Sequence, residues 1–538
     1  MLKEALGRGQ KAVYVTPKNS QHAVAEDAVE KFRRAGAPVK SLTITAKAKI
    51  CLKSEPLCEP GYCEFSRDYY AKVQEQGLIE KLAKKRTLAA RIFRKLGEEH
   101  EVCPFELQLD ASPEADVVIC DYNYVFAPRS AFGRVALSGI DQTGRPNLVI
   151  DEAQNLPQRF RAEGEGLLDG CIAVIASCIP TRTPRPRRIG PPLEAFLEQD
   201  GRLRSFLSRY LDSEAEILPA DAVMVLANEW SGFCEALEIA ADPERKEFFV
   251  TVHPHPTGGA IKITCCDASL MLKDCYEEYE QVIGFSATLK PFAYYTDLSG
   301  LDPDAVMTAE FPSPFPRELR KLLIIPQIST KYSDRERNYG KIADAVGRIA
   351  SLRPGNYFVF FPSFEFLDRV HGLFRAPEGT LVLKQERDMK ATKVRDVLDR
   401  LASDLGPVIV FAVQGGTFSE GVDYPGESVI GAFVVGPPLP SYDLEREEMR
   451  KYYEERYQAG FDFAYVIPAM SKAVQAAGRV IRSETDRGLI VLMDGRFLQP
   501  AYTRAMPFDW FDRNAAELVS DSILQDVAAF WARSGEGR

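Results

Sequence analysis

The chain has 538 residues, more than a single hydrophobic core usually holds, so the sequence predicts about two to four domains. Hydrophobic residues make up 45% of the chain and charged residues 27%, which excludes a wholly disordered or collagen-like protein. The net charge of −10 does not by itself indicate nucleic-acid binding, so any such contact has to come from local basic segments.

The sequence also indicates where the protein works. No apolar run approaches the roughly 20 residues needed to cross a bilayer, and no signal-peptide pattern is present at the N-terminus, so we expect a cytoplasmic protein without a membrane partner. In that compartment the eleven cysteines favour a metal or iron–sulfur site over disulfides.

Apolar runs along the chain predict the strands of two α/β domains. A helix-like start, MLKEALGRG, precedes the first run, and later runs alternate with helical stretches, as in parallel sheets that are covered on both faces. The predicted strands are Lys11–Thr16, Ala115–Cys120, Pro146–Ile150, Val282–Ser286, Tyr357–Phe361, Val408–Phe411, Ala432–Val435 and Leu489–Met493.

Two segments of different character interrupt the first α/β domain. Residues from about 50 to 105 carry four cysteines and a basic stretch. Residues from about 160 to 256 are predicted to be mostly helical, with a Pro/Arg-rich loop at Thr183–Pro192 and a hairpin between Phe248 and Thr264. The closely spaced prolines of Phe311–Pro316 predict the junction with the second α/β domain.

The segment LVIDEAQ ends an apolar strand in two adjacent carboxylates, Asp151 and Glu152. In nucleotide hydrolases a strand-end Asp holds Mg²⁺ and a neighbouring Glu acts on the attacking water. The same letters also suit a solvated acidic helix start, where carboxylates favour the helix dipole. The segment taken alone leaves both interpretations open.

Two further segments help to decide between the catalytic and the helix-start interpretations of Asp151 and Glu152. GFSATLK, which contains Ser286 and Thr288, ends another predicted strand with small hydroxyl residues. QAAGRVIRSETDRG places Arg479 and Arg482 three residues apart, which on a helix puts both guanidiniums on one face, able to clamp a phosphate. An exposed surface pair of arginines is the alternative.

Taken in order, these segments resemble the motifs of superfamily 2 helicases, specifically the iron–sulfur branch typified by the XPD and DinG helicases. YVTPKNSQ is similar to motif Ia, VIDEAQ to motif II and GFSATL to motif III. FVFFPSFEFL is similar to motif IV, GGTFSEGVDYPG to motif V and QAAGRVIR to motif VI. Six motifs in the family's order span nearly the whole chain.

The resemblance implies a fold and a set of site residues. The fold is α/β, with two RecA-like helicase lobes, an iron–sulfur cluster insertion and a helical arch-like insertion in lobe one. ATP is expected between the lobes, with Asp151 on Mg²⁺, Glu152 on the attacking water, and Ser286 and Thr288 coupling hydrolysis to DNA. The residues expected to reach the nucleotide or the lobe interface from lobe two are Gln475, Arg479, Arg482, Glu420, Gly421 and Asp423.

Four cysteines, Cys51, Cys58, Cys63 and Cys103, form C-x6-C-x4-C followed, after a long stretch, by CPFE. Four thiolates suit a [4Fe–4S] cluster, although the spacing alone also allows structural zinc. The position between motifs Ia and II favours iron, because the resembling family carries its cluster there.

The stretch from Lys72 to Lys95 predicts a basic helix beside these cysteines. Such a helix suits a DNA backbone, as the family resemblance implies, or is simply a solvated helix face. The aromatic residues of DYNYVF, from Asp121 to Phe126, are suited either to stacking on bases or to packing in the core.

One expected segment is missing from the sequence. The family's phosphate loop, G-x-x-x-x-G-K-[ST], does not occur, and Gly340 and Lys341 are followed by Ile342 in the second half. We expect either an N-terminally truncated or mis-started form of an intact helicase, which is favoured, or a degenerate protein that binds DNA without turnover. In both cases ATP hydrolysis should be poor and the central strand that the loop follows should be lacking.

The expected domains are lobe one in three parts, 1–48, 109–160 and 259–323, the iron–sulfur domain at 49–108, the arch-like domain at 161–258 and lobe two at 324–538. The expected function is a helicase, 5′ to 3′ by analogy, that acts in DNA repair on single-stranded and on forked or partly duplex DNA. The alternative is a non-catalytic iron–sulfur protein that binds single-stranded DNA. The sequence does not identify protein partners.

Overall fold

A computed structural model describes residues 10–17, 21–53, 58, 63–126, 145–155, 185–212, 222–255, 258–419, 428–481 and 483–532. The chain divides into two compact units. The first comprises Met1–Ser286 and Thr296–Ala305, and the second comprises Ala287–Tyr295 and Val306–Arg538. Among the described residues, no helix combines the length and the apolar character that a membrane crossing requires.

The strands of the described residues mostly follow the predicted apolar runs. All of the predicted strands are present, and their ends differ from the prediction by at most two residues. The predicted helix at the start of the chain lies outside the described residues. The strands are β1 Ala12–Thr16, β2 Ser41–Thr43, β3 Thr87–Leu88, β4 Val117–Asp121, β5 Asn147–Asp151, β6 Arg187–Ile189, β7 Phe248–His255, β8 Gly258–Cys265, β9 Gln281–Phe285, β10 Arg320–Ile324, β11 Tyr357–Phe361, β12 Leu381–Lys384, β13 Val408–Val413, β14 Gly431–Val434 and β15 Gly488–Leu492.

Helices connect and cover these strands. The described α-helices are α1 His22–Arg34, α2 Lys47–Ile50, α3 Tyr69–Glu75, α4 Leu78–Ala83, α5 Ala90–His100, α6 Pro104–Asp110, α7 Asn123–Phe126, α8 Leu193–Asp212, α9 Ala222–Ala241, α10 Ser269–Tyr276, α11 Phe292–Leu298, α12 Arg335–Ala350, α13 Phe364–Leu373, α14 Ala391–Leu401, α15 Leu444–Tyr457, α16 Ile467–Ala477, α17 Pro500–Thr503 and α18 Ile523–Ala532. A π-helix, Asp462–Val466, directly precedes α16. Short 3₁₀ helices occupy Ser112–Glu114, Ala153–Asn155, Arg317–Leu319, Gly495–Leu498, Phe508–Trp510 and Ala515–Leu518.

The first unit contains a six-stranded parallel sheet in the order β3-β2-β4-β1-β5-β9. Its central strand β1 pairs with both β4 and β5, so that Tyr14 lies opposite Ile119 and Val149. Because all pairs are parallel, the carboxyl ends of β1, β4, β5 and β9 lie at one edge of the sheet, where ligands bind in open α/β sheets.

Strand β9 is the edge strand of the described sheet beside β5, and it is unusually exposed. Ile283 is 38% exposed and Phe285 is 43% exposed, although the run QVIGF has the apolar character of a covered strand. At Gly284 a Cβ atom would lie only 3.1 Å from the Cβ of Ala153, so glycine permits the close packing of β9 against the segment that follows β5.

The segment between β5 and β9 forms a small α/β layer of its own. Strands β6, β7 and β8 make an antiparallel sheet that packs with α8 and α9 around stacked Phe196 and Trp230 rings, 5.1 Å apart. The predicted hairpin is confirmed as β7 and β8. The predicted helical character holds only in part, because a three-stranded sheet is present and β6 lies inside the predicted Pro/Arg-rich loop.

The second unit contains another six-stranded parallel sheet, in the order β10-β15-β14-β11-β13-β12. Alternating residues of its strands face two separate cores. Phe358 and Phe360 pack with residues of α14 and α16, whereas Val359 and Phe361 pack with residues of α12, α13 and α18. Strands β11, β13, β14 and β15 are buried along their whole length, as expected for a parallel sheet between two helical layers.

Candidate functional site

Asp151 and Glu152 lie at the carboxyl end of β5, in the first unit. Asp151 is the last residue of the strand and lies opposite Phe285 of β9. Glu152 has a φ of +52°, in the left-handed region that non-glycine residues seldom adopt. Such a conformation persists only where its surroundings hold it, and it is frequent at functional sites.

Two tyrosines hold these carboxylates. The hydroxyl of Tyr14, in β1, donates a hydrogen bond to Oδ2 of Asp151 at 3.1 Å. The fully buried Tyr122 directs its hydroxyl at the backbone carbonyl oxygens of Asp151 and, at 3.0 Å, of Glu152. Nε2 of Gln154 donates to Oε2 of Glu152 at 2.7 Å. Tyr14 from β1 therefore holds the Asp151 carboxyl group, Tyr122, directly after β4, holds the backbone of the pair, and Gln154 holds the Glu152 carboxyl group.

The sequence did not assign either tyrosine a role in the site. Tyr14 belongs to the motif Ia segment, and Tyr122 belongs to DYNYVF, whose aromatics suit either stacking on bases or packing in the core. The structure places Tyr122 and Phe126 in the core, where their rings meet edge to face. A tyrosine that follows a buried parallel strand was the available signal, because a buried hydroxyl requires a partner.

The electrostatics of the pair suit a cation. Burial raises the pKa of Asp151, the hydrogen bond from Tyr14 opposes that rise, and the neighbouring charge of Glu152 adds to it. Burial, together with the nearby Asp151 and Glu152 charges, raises the pKa of Tyr14 as well, so its hydroxyl stays protonated and donates. Two carboxylates at a strand end offer the oxygen ligands that Mg²⁺ prefers, so the residues present fit this ion.

The hydroxyl residues that follow β9 fall into different units. Ser286 is the last residue of the first unit's main segment, whereas Thr288 belongs to the second unit. Within the second unit, Oγ of Ser471, in α16, donates to Oγ1 of Thr288 at 3.1 Å, and both residues are buried. Thr288 is thus bonded to the helix that carries Gln475.

In the second unit, the structure brings parts of the predicted motifs V and VI together. Nε and Nη2 of Arg479 donate to the backbone oxygen of Ser419 at 3.0 and 2.6 Å. Gln475 lies half-buried on α16, two turns after Pro468. The predicted site residues Glu420, Gly421, Asp423 and Arg482 lie outside the described residues.

The predicted shared helical face of Arg479 and Arg482 is wrong at its first member. Helix α16 ends at Ala477, and Gly478 follows as its C-terminal cap, so Arg479 lies beyond the helix. Beyond the helix end, the Arg479 guanidinium lies against the Ser419 carbonyl group.

Two of the four predicted cluster ligands, Cys51 and Cys103, lie at helix ends. Cys51 directly follows α2, Cys103 caps the N-terminus of α6, and Cys63 is buried while Cys58 is exposed. Burial raises the pKa of Cys103, and the Cys58 thiol nearby contributes to that rise. Burial alone would lower the pKa of Lys47, but a hydrogen bond to Cys58 and neighbouring negative groups raise it.

The donor chemistry of these cysteines fits an iron–sulfur cluster, and the structure brings Cys58 and Cys103 within electrostatic reach of each other. Within the described part of the chain, however, no three His, Cys, Asp or Glu side chains form a group that could hold a metal ion. The cluster therefore stays a prediction.

The basic stretch between Cys63 and Cys103 has exposed cationic side chains but is not one helix. Helices α4 and α5 are separated by β3, which pairs with β2. The continuous basic helix predicted for this stretch is therefore wrong. The exposed cationic side chains on both sides of the break are Lys81, Lys84, Lys85, Arg86, Arg91, Arg94 and Lys95.

Two family models match the chain. One, described as a helicase C-terminal domain, matches residues 346–513, and the other, described as DEAD_2, matches residues 21–164. The second match includes the Asp151–Glu152 pair and all four predicted cluster cysteines, and the first includes Gln475 and Arg479.

The curated relatives that match this chain are also named as helicases. The general transcription and DNA repair factor IIH helicase subunit XPD of Arabidopsis thaliana is 26% identical over 55% of this chain, a match that covers 40% of that protein. The ATP-dependent DNA helicase XPD of Sulfolobus acidocaldarius is 24% identical over 75% of this chain and 74% of its own. The chain thus spans less than half the length of the Arabidopsis relative.

A solved structure of an XPD helicase superposes on 92% of this chain and 90% of its own, with a TM-score of 0.53 and 19% identity. That similarity concerns the fold of this chain, which contains two parallel sheets.

Proposed function

We propose, for a chain that belongs to the XPD/DinG-like family of superfamily 2 helicases, an ATP-dependent DNA helicase activity that serves DNA repair. The fold is α/β with two RecA-like lobes. The observation that carries the activity is the Asp151–Glu152 pair at the carboxyl end of β5, which lies inside the segment that matches DEAD_2 and is fixed by Tyr14 and Tyr122. Proposed polarity is 5′ to 3′ on single-stranded DNA, with forked or partly duplex DNA as substrate.

In this proposal Asp151 and Glu152 have different roles. Asp151 holds Mg²⁺, which when bound neutralises phosphate charge, and Glu152 orients the attacking water and accepts its proton. Tyr14 keeps one Asp151 oxygen engaged and so orients the other. Gln475, Arg479 and Arg482 are the proposed phosphate-binding residues of the second lobe, and Ser286 and Thr288 are proposed to link hydrolysis to DNA.

We also propose that this chain turns over ATP slowly, because its sequence has no phosphate loop to position and neutralise the phosphates. The exposed edge of β9 supports this proposal. A further strand on that edge, with its loop, would cover Ile283 and Phe285, which are 38% and 43% exposed.

The test is phosphate release by the anaerobically purified chain, with and without a single-stranded oligonucleotide. Slow release that DNA stimulates and that Glu152→Gln abolishes is the expected result. Glu114→Gln is the matched control, because Glu114 lies in a 3₁₀ helix before β4, away from the strand ends. Release that is insensitive to both changes would refute the assignment of Glu152.

A [4Fe–4S] cluster on Cys51, Cys58, Cys63 and Cys103 is part of the proposal. Its support is the donor set inside the DEAD_2 match and the proximity of Cys58 to Cys103. Iron and acid-labile sulfide should be present at about four each per chain. Cys63→Ser should lower both, whereas Cys275→Ser, a half-buried cysteine of α10, should leave them unchanged. Stoichiometric zinc with no iron would show the alternative Cys₄ site.

A second candidate is a non-catalytic iron–sulfur protein that binds single-stranded DNA. The observation that favours it is the absence of the phosphate loop from the sequence together with the exposed cations of α4 and α5. Tight single-strand binding with no phosphate release above that of Glu152→Gln would select it.

A further inference from the structure

Gln154, in the 3₁₀ helix that follows β5, is a buried amide that uses only part of its hydrogen-bonding capacity. It is 2% exposed, and its Nε2 donates a hydrogen bond to Oε2 of Glu152 at 2.7 Å. Its Oε1 is buried and has no partner among the residues that the structure describes. A buried oxygen without a partner costs folding free energy, because water satisfies it in the unfolded chain. Stability alone therefore does not account for an amide at this position.

Gln108, in α6 of the same unit, shows how an amide is buried for structural reasons. Its Oε1 accepts a hydrogen bond from the backbone nitrogen of Thr45 at 3.0 Å, and its Nε2 donates to the backbone oxygen of Thr45 at 2.7 Å. Both ends of that amide are bonded to backbone, so it joins two segments that are distant in the chain. Gln154 is bonded instead to a side chain, the carboxylate of Glu152.

The backbone next to Gln154 is held, so its side chain extends from a fixed point. The backbone oxygen of Glu152 accepts hydrogen bonds from the Tyr122 hydroxyl at 3.0 Å and from the backbone nitrogen of Asn155 at 2.9 Å. The second bond closes the 3₁₀ turn Ala153–Asn155, which Glu152 enters with a φ of +52°. The amide donor and the carboxylate that accepts from it therefore belong to one tightly held turn.

A neutral donor suits a carboxylate that has to accept a proton. A lysine or arginine at this position would form an ion pair with Glu152 and weaken it as a proton acceptor. The amide N–H of Gln154 holds one carboxylate oxygen without adding a charge, so the other oxygen stays basic.

We propose that Gln154 is a positioning residue for Glu152, whose Oε2 it holds so that Oε1 of Glu152 is directed at the attacking water. This inference rests on the proposed function and adds to it a residue that acts only through Glu152. Such placement has a large effect on rate, since a displacement of about 1 Å at a reacting group can cost roughly a hundredfold. The unpartnered oxygen of Gln154 is the loss of stability that accompanies this placement.

The experiment measures phosphate release from γ-labelled ATP by the full chain at saturating single-stranded DNA, over a range of ATP concentrations. Gln154→Met keeps the length of the side chain and removes the donor. It should lower kcat about ten- to a hundredfold and change KM for ATP by less than about twofold, because the nucleotide contacts stay the same. The affinity for the non-hydrolysable analogue AMP-PNP should be equal in both proteins.

Urea unfolding distinguishes positioning from a structural role. Gln154→Met removes the buried, unpartnered oxygen, so its urea midpoint should equal or exceed that of the unchanged chain. Gln108→Met is the matched control, because it removes both backbone bonds of a buried glutamine in the same unit. The control should lower the urea midpoint and leave kcat per folded molecule unchanged.

A double-mutant cycle tests whether Gln154 acts through Glu152. Glu152→Asp shortens the carboxylate by one methylene group and takes it out of reach of Nε2. In that background Gln154→Met should lower kcat by less than about twofold, because the bond that it removes is already absent. A role independent of Glu152 would give the same loss in both backgrounds.

The outcomes separate this inference from the proposed function. Equal kcat in Gln154→Met and the unchanged chain would overturn the inference and leave the role of Glu152 intact. So would the full loss in the Glu152→Asp background, or a loss of kcat accompanied by a lower urea midpoint. If the unchanged chain released phosphate no faster than Glu152→Gln, the proposed function would fail, and Gln154 would lose its role with it.

Discussion

The two parallel sheets each present an aspartate near the carboxyl end of a strand, and the two aspartates have opposite surroundings. Asp494, which follows β15, is 1% exposed and accepts hydrogen bonds from Arg496 at 2.9 and 3.0 Å and from Thr330 at 2.7 and 2.8 Å. Asp151 accepts one from Tyr14 and has Glu152 as its neighbour. One carboxylate has a protein cation beside it, and the other has a second carboxylate.

The difference appears in the direction of their pKa shifts. Burial alone would raise the pKa of Asp494, but the hydrogen bonds and charge of Arg496 outweigh it and lower the pKa. Burial raises the pKa of Asp151, and the charge of Glu152 adds to that effect against the Tyr14 hydrogen bond. The same residue at the same kind of position is therefore structural in one sheet and suited to an external cation in the other.

The largest predicted loss of stability is at the core of the second sheet, and the matched position is at the exposed edge of the first sheet. Phe360→Ala, at a fully buried position of β11, should destabilise the second unit by about 3 to 5 kcal/mol. Phe285→Ala, at the 43% exposed position of β9, should change the stability of the first unit by less than about 1 kcal/mol. Hydrogen exchange of peptides from each sheet during urea unfolding measures both. A comparable loss at Phe285 would mean that β9 is covered in solution.

Asp494→Asn should cause the next largest loss of stability. It leaves the Arg496 guanidinium in a buried site without its countercharge, at a cost of about 3 kcal/mol at neutral pH. The contribution of Asp494 is present above the ordinary carboxyl pKa of 3.8 and should be lost as the pH falls through its lowered value in the folded protein. Acid unfolding followed in β15 peptides checks this, and an Asn variant with unchanged stability at pH 7 would contradict it.

Tyr122→Phe should cost about 1 to 2 kcal/mol in the first unit, because the Asp151 and Glu152 carbonyl oxygens lose a buried donor. It should also loosen the left-handed backbone at Glu152, seen as faster amide exchange after β5. Tyr124→Phe, at a half-buried tyrosine two residues on, is the control. Equal exchange in all three proteins would show that Tyr122 does not hold this backbone.

The smallest predicted effect is a gain in stability rather than a loss. Because the pKa of Asp151 is raised in the folded protein, its ionised form opposes folding, and stability falls as the pH rises through that pKa. Asp151→Asn should therefore stabilise the first unit at pH 7, by less than about 1 kcal/mol since solvent screens the half-buried group. Urea midpoints at pH 4 and pH 7 test this, and destabilisation at pH 7 would reverse the comparison with Asp494.

Patterns of neighbouring residues in the sequence predicted the elements whose formation depends mainly on those residues. Apolar runs such as Tyr357–Phe361 are long enough and bounded clearly enough to predict buried parallel strands. The position of Asp151 at a strand end followed from the same pattern. Short strands such as β3 were not predictable, because Thr87 and Leu88 become a strand only through pairing with β2, which is distant in sequence.

The site was predictable in its carboxylates but not in its supporting contacts. Tyr14 lies 137 residues from Asp151 in the chain, and Tyr122 follows β4, which β1 separates from β5 in the sheet, so no spacing rule records these contacts. Gly478 in the sequence indicates a possible helix end, since glycine is common after helices, whereas the spacing of Arg479 and Arg482 taken alone predicts a helix through both. Long-range pairing and helix termination therefore account for most of what the sequence did not reveal.

The exposed edge of β9 also determines how the protein behaves in concentrated solution. An exposed apolar strand at the edge of a sheet is a nucleus for aggregation between molecules, and β9 is such an edge among the described strands. Glu277, Glu278 and Glu280, all exposed, precede it directly, and the net charge of the chain is −10, so molecules repel each other at this edge near neutral pH. Salt screens that repulsion, so colloidal stability should fall with rising ionic strength, and low-salt buffers should keep the protein dispersed.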